Sequence, residues 1–178
     1  MLSRQNSSRL NIKEIAVLGM LAALMYATKL VMEFLPNVHL LGTFIVSATV
    51  VFRTKALFPI YTFVAISGLF SGFALWWVPY LYVWTVLWLF TMLIPKKMSV
   101  KLAPIVYMTV SALHGFLYGT IYAPAQAIMF GLDFKGMIAW IISGIPFDIT
   151  HGISNFVCGI LIVPIIKVLH IAKRLCDN

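Results

Sequence analysis

Acidic side chains are almost missing from this chain: five Asp and Glu in 178 residues, against thirteen Lys and Arg. Charged residues of both signs reach only 10%, where a soluble domain carries about 25%. A chain so poor in charge cannot coat itself for water, which excludes an ordinary soluble domain. Cysteine is scarce as well. Cys158 and Cys176 lie apart, with neither a disulfide framework nor a metal-knuckle spacing. Walker loops, HExxH, nucleophile elbows and GxGxxG turns are absent, so no ATP site and no familiar catalytic centre is expected. Asp148 and His151 lack a third ligand at a fixed spacing, and no metal or resident cofactor is expected. A proton relay would want more buried carboxylates than Asp148 alone.

What fills the chain instead is apolar: 62% hydrophobic residues and a mean hydropathy of +0.99. The bilayer is the solvent that suits it. At about 20 residues per crossing, the apolar runs predict six spans, at about 12–35, 40–52, 56–73, 81–94, 102–130 and 137–169. The expected fold is an all-α membrane protein, a six-helix bundle forming one domain over 1–178. The net charge of +8 suggests nucleic acid only in a soluble protein. Here Arg4, Arg9, Lys13, then Arg53, Lys55, then Lys96, Lys97, Lys101, then Lys173, Arg174 recur at every second connection, while the other connections hold only Lys135. That is the positive-inside pattern. It predicts a cytoplasmic N-terminal tail (1–11) and a cytoplasmic C-terminal tail (170–178). A sequon at Asn6 falls in the cytoplasmic tail.

Several polar and small residues interrupt the apolar runs. Gly19, Ala23 and Ala27 recur every four residues in the first span, broadened by Ala16 and Ala22. Such a strip serves either packing within the bundle or docking of a partner helix. Lys29 and Glu33, one turn apart, are expected to pair. Asn37 and His39 lie in the connection that follows. Trp76, Trp77, Tyr80, Tyr82 and Trp84 crowd the approach to the fourth span, as an interfacial belt or as a lid for a flat ligand. His114, Tyr118, Tyr122 and Gln126 share one helix face. That stripe either bonds neighbouring helices or contacts a ligand. Trp140 is a further candidate for ligand contact. In "GIPFDITHGISNF", Asp148, His151 and Asn155 share a face one turn after Pro146. They either satisfy neighbouring helices or line a polar cavity; His151 is the best placed of the three to approach a ligand.

The size, the spans, "AVLGMLAALMYATKL" and "IPFDITHGISNF" together resemble the substrate-binding S-component of energy-coupling factor (ECF) transporters, bacterial vitamin importers of the plasma membrane. The resemblance implies a multi-pass vitamin binder that is not an enzyme. Its partners would be a transmembrane coupling protein and two cytoplasmic ATPases. It places Gly19, Ala23 and Ala27 against the coupling protein. The substrate pocket it implies lies in the outer half, with Asn37, His39, Trp76, Trp77, Tyr80, Tyr82, Tyr118, Tyr122, Gln126, Trp140 and His151 as candidate lining. It also implies that the whole subunit topples in the membrane to carry its pocket inward. An outer half without arginine argues against a folate-like dianion. Cobalamin is the expected ligand, with thiamine, pantothenate, riboflavin or, against that argument, folate as alternatives. A lone ion-coupled carrier and an intramembrane enzyme using Asp148 and His151 are the competing functions.

Overall fold

A computed structural model describes residues 10–177; Arg4, Arg9 and the Asn6 sequon lie outside them. Among the described residues the chain is all-helical, with no strand. The helices are α1 (Ile12–Val31), α2 (Leu41–Phe52), α3 (Leu57–Ser71), α4 (Tyr80–Met92), α5 (Ala103–Phe116), α6 (Tyr118–Phe130), α7 (Phe134–Cys158) and α8 (Ile162–Asp177).

Local chemistry explains the ends. Asn11 caps α1 by accepting from the Glu14 amide, and Glu14 reciprocates by accepting from the Asn11 amide. Asp133 caps α7 by accepting from the Gly136 amide at 2.7 Å. Gly72 and Gly131 close α3 and α6 with φ of 86° and 65°, which a side chain would resist.

Four helical stretches among the described residues are long and apolar enough to cross a membrane: Ile12–Val31, Leu41–Ser71, Leu75–Met92 and Phe134–Asp177. The six separate spanning helices expected from hydropathy are therefore not reproduced. The second and third expected spans run on through a 3-10 turn over Arg53–Ala56. Arg53 bends the chain there, with φ 54°. Its guanidinium donates to the Met92 carbonyl at 3.0 Å, and its own carbonyl accepts from the Trp88 indole at 3.1 Å. The fifth expected span divides at Leu117 into helices of 14 and 13 residues, each below the ~20 needed to cross. The sixth passes through Pro146 without a break. It tightens into a 3-10 turn at Gly159–Leu161, just before Pro164, whose ring clashes with a helical carbonyl one turn upstream.

α2 is buried on every side and lies at the centre of the bundle. Its hydroxyls are satisfied locally: Ser47 donates to the Thr43 carbonyl and Thr49 to that of Ile45, both at 2.7 Å. Around it pack Leu18, Met25, Phe63, Trp84, Leu87 and Ile162. α5 and α7 cross at glycine: a Cβ on Gly115 would come within 2.8 Å of the Gly152 backbone. Outside α2, large apolar side chains face outward, including Met20, Phe70, Ile128, Ile153 and Val168. A surface so apolar suits lipid rather than water.

One end of the bundle gathers the basic connections. Asn11 donates to the Cys176 carbonyl, Lys55 pairs with Glu14 at 2.7 Å, and Lys173 donates to the Val51 carbonyl at 2.9 Å. The start of α1 and the end of α8 therefore lie side by side. The connections holding His39, Trp76 and Lys135 lie at or towards the other end. The expected Lys29–Glu33 pair does not form: α1 ends at Val31, so Glu33 sits in a turn rather than one helical turn above Lys29. Lys55–Glu14 is the ion pair seen among the described residues.

Candidate functional site

The site is built from four parts of the chain that the fold brings together. On α4, Tyr80 and Trp84 are one turn apart, with Trp76 one turn before them. Their rings meet edge to face at centroid distances of 5.4 Å each. On α5 and α6, His114, Tyr118 and Tyr122 repeat the same spacing, at 6.0 Å each. α7 contributes His151 and Trp140. The connection after α1 contributes His39.

These rings close into a circuit. His39 meets His151 at 4.7 Å and Trp84 at 5.9 Å. Tyr118 meets the same two rings from the opposite side, at 4.8 Å and 5.8 Å. His114 touches both Trp84 and Tyr118. Towards the mouth, Tyr122 stacks on Trp140 with an interplanar angle of 17°. Phe63 of α3 packs behind Tyr80 and Trp84.

The polar atoms of the circuit are poorly served. His114 donates from Nε2 to the Val83 carbonyl at 3.0 Å, which in the neutral ring leaves Nδ1 as an acceptor. That Nδ1 has no partner, and neither do His39 Nδ1, His151 Nε2 or Trp84 Nε1, all sealed from solvent. Buried polar atoms are normally bonded, and each exception requires an explanation. No Asp, Glu, Lys or Arg belongs to the circuit. Burial pushes the His39 imidazole down to about 4, so it is neutral at pH 7. Although three histidines meet here, no group of three or more His, Cys, Asp or Glu among the described residues is arranged to hold a metal ion.

Asp148 and Asn155 have other work. Asp148 accepts from the Gly119 amide at 2.9 Å, catching an N–H freed where α5 gives way to α6. Asn155 donates to the Ser111 carbonyl at 3.2 Å, tying α7 to α5. Asp148 thus ties α7 to α6 and Asn155 ties it to α5, and His151 between them is left to the ring circuit.

Of the eleven residues singled out for substrate contact, seven join the aromatic assembly: His39, Trp76, Tyr80, Tyr118, Tyr122, Trp140 and His151. Four do not. Asn37 serves the backbone, at a left-handed φ of 60° that asparagine tolerates. Trp77 turns to α3, donating to the Val64 carbonyl at 2.8 Å. Tyr82 donates to the Ile121 carbonyl at 2.8 Å, linking α4 to α6. Gln126, half-buried, lies a turn beyond Tyr122 and is not itself a ring. Trp84 and His114 were not among the substrate candidates, yet they sit at the centre. Their i±4 spacing to Tyr80 and Tyr118 was the signal that could have found them.

The small-residue strip lies elsewhere. Ala16, Ala23 and Ala27 are exposed and Gly19 half-exposed, with nothing near the position of a Gly19 Cβ. Ala22, expected to widen the strip, is fully buried and faces the core, because it sits about 100° round the helix from Ala23. A shallow apolar groove of about 580 Å³ on α3, lined by Leu57, Phe58, Tyr61, Thr62 and Ala65, is also separate from the ring circuit. No family model, curated protein or solved structure matches this chain.

Proposed function

We propose that the chain is the substrate-binding subunit of an ECF-type vitamin importer in a bacterial plasma membrane. The ring circuit carries this reading: an uncharged, flat-walled site with four unpartnered polar atoms, set inside a bundle with a lipid-suited surface. A core built only for stability would leave those atoms bonded or replace them. A small-molecule site needs apolar walls with a few polar atoms that orient the ligand.

In this reading the chain crosses the membrane six times, with both termini cytoplasmic. The gathering of Lys13, Arg53, Lys55 and Lys173 at one end supports that orientation. Without an ATP site of its own, the chain takes its energy from a coupling protein and two cytoplasmic ATPases. The exposed Gly19–Ala23–Ala27 strip is its docking face. Toppling of the whole subunit would carry the site across.

Among vitamins, cobalamin was expected from the sequence. A circuit closed at 4.7–5.9 Å favours a smaller ligand. The test is uptake by vesicles holding the chain, a coupling protein and two ATPases. ATP-dependent uptake of a labelled vitamin is expected. Uptake by the chain alone on a proton or sodium gradient, or no uptake of any vitamin by the full set, refutes the reading.

A further inference from the structure

We propose that the His39 imidazole is a built-in stand-in for the ligand, occupying the place that a flat, uncharged nitrogen heterocycle takes when the site is loaded. The inference rests on the ligand-binding reading above and narrows it to a chemical class and a mode of entry.

Three rings of the circuit stand on helices: Trp84 on α4, Tyr118 on α6 and His151 on α7. Moving any of them moves a packed helix. His39 alone is held by a connection. That segment makes only local turn bonds, Leu35 amide to Met32 carbonyl and Val38 amide to Leu35 carbonyl, and residues 33–36 are exposed. With Nδ1 unpartnered, withdrawing His39 breaks no bond at that atom. Withdrawal leaves a gap of imidazole size between Trp84, Tyr118 and His151.

The chemistry left behind selects the occupant. Trp84 Nε1 is donor only, so it calls for a ring nitrogen with a lone pair. His151 Nε2, unpartnered on a ring beside the gap, is an acceptor in the Nδ1–H tautomer and calls for a ring N–H. An azole carries both. A charged ring would find no charged partner among the side chains of the circuit, and the Asp148 carboxylate is engaged by the Gly119 amide. The walls are aromatic faces and edges, which suit a flat ring.

The experiment opens the gap and fills it with a probe. Full-length His39→Gly protein in detergent micelles is melted at about pH 8 with and without pyrazole, following tryptophan fluorescence. His39→Ala is run beside it, so that a folding failure of one variant does not end the test. Pyrazole at tenfold excess over its Kd is expected to raise Tm by about 3 °C. A smaller rise is expected in the unaltered protein, where His39 competes, and no specific rise in His170→Gly, which removes an exposed histidine. Benzoate, flat but anionic, is expected to do nothing. No rise in either His39 variant, an equal rise in the unaltered protein, or an equal response to benzoate overturns the proposal. None of these measurements uses the coupling protein or ATP. Probe rescue without vitamin uptake therefore sinks only the importer reading, and uptake without rescue sinks only this one.

Discussion

Removing the Asp148 side chain as Asp148→Ala should weaken the fold. The carboxylate is 8% exposed and accepts the Gly119 amide at the break between α5 and α6. In the alanine variant that amide has no partner in a dry setting. A buried donor left unmade costs about 1–3 kcal/mol, and a hydrogen bond to a charged acceptor lies in the upper part of that range. Taking about 2 kcal/mol, and about 2–4 °C of Tm per kcal/mol at this chain length, the expected drop is about 4–8 °C. Asp148→Asn keeps a carbonyl oxygen at the same place and should lose less than half as much. The assay is thermal unfolding of the purified chain in detergent. Were asparagine as damaging as alanine, the charge rather than the hydrogen bond would matter. Were neither variant less stable, while both lost ligand binding, Asp148 would belong to the site and its bracing role would be wrong.

The Glu14–Lys55 pair is expected to hold α1 against the bend after α2; Glu14→Ala also unmakes the capping box and should cost about 2 kcal/mol, read as a drop in Tm. The His39 imidazole, half-buried and held neutral with its value pushed down to about 4, binds fewer protons when folded than when unfolded. Its contribution is intact above about pH 6.5 and is lost as pH falls below that, by about 2 kcal/mol at pH 5. The acid sensitivity should shrink in His39→Gln. Ala23→Trp, on the exposed strip, should leave Tm and ligand binding within error while blocking co-purification with a coupling protein; an intact complex would reject that docking face. Gly19→Ala, with open space at its Cβ, should raise Tm slightly, by about 0.5–1 kcal/mol of helix propensity.

Spacing made much of the site legible before any coordinate. Tyr118 and Tyr122, four residues apart, share a face on any helix. Asp148, His151 and Asn155 do likewise, and all three do turn towards α5 and α6. Spacing is silent about which neighbour a face meets. Trp77 and Trp76 look alike in the sequence, yet one indole bonds the Val64 carbonyl of α3 and the other ring joins Tyr80. Tyr82 reads as belt or lid, and its hydroxyl donates to the Ile121 carbonyl of α6. The Lys29–Glu33 pair failed for a local reason: a helix that stops at Val31 cannot hold an i,i+4 contact across its end.

Composition alone determined that the chain is helical and suited to a bilayer, because so few charges cannot satisfy water and so many apolar residues need lipid or one another. The alternation of basic connections predicted that they share one end of the bundle, and the bonds made by Lys55 and Lys173 gather them there. Only the tertiary structure decided that His39, Trp84, Tyr118 and His151 form one circuit, since they come from segments far apart in the chain. It alone showed that His39 Nδ1, Trp84 Nε1 and His151 Nε2 lack partners, because satisfaction depends on the neighbours that packing supplies and not on any residue's own identity.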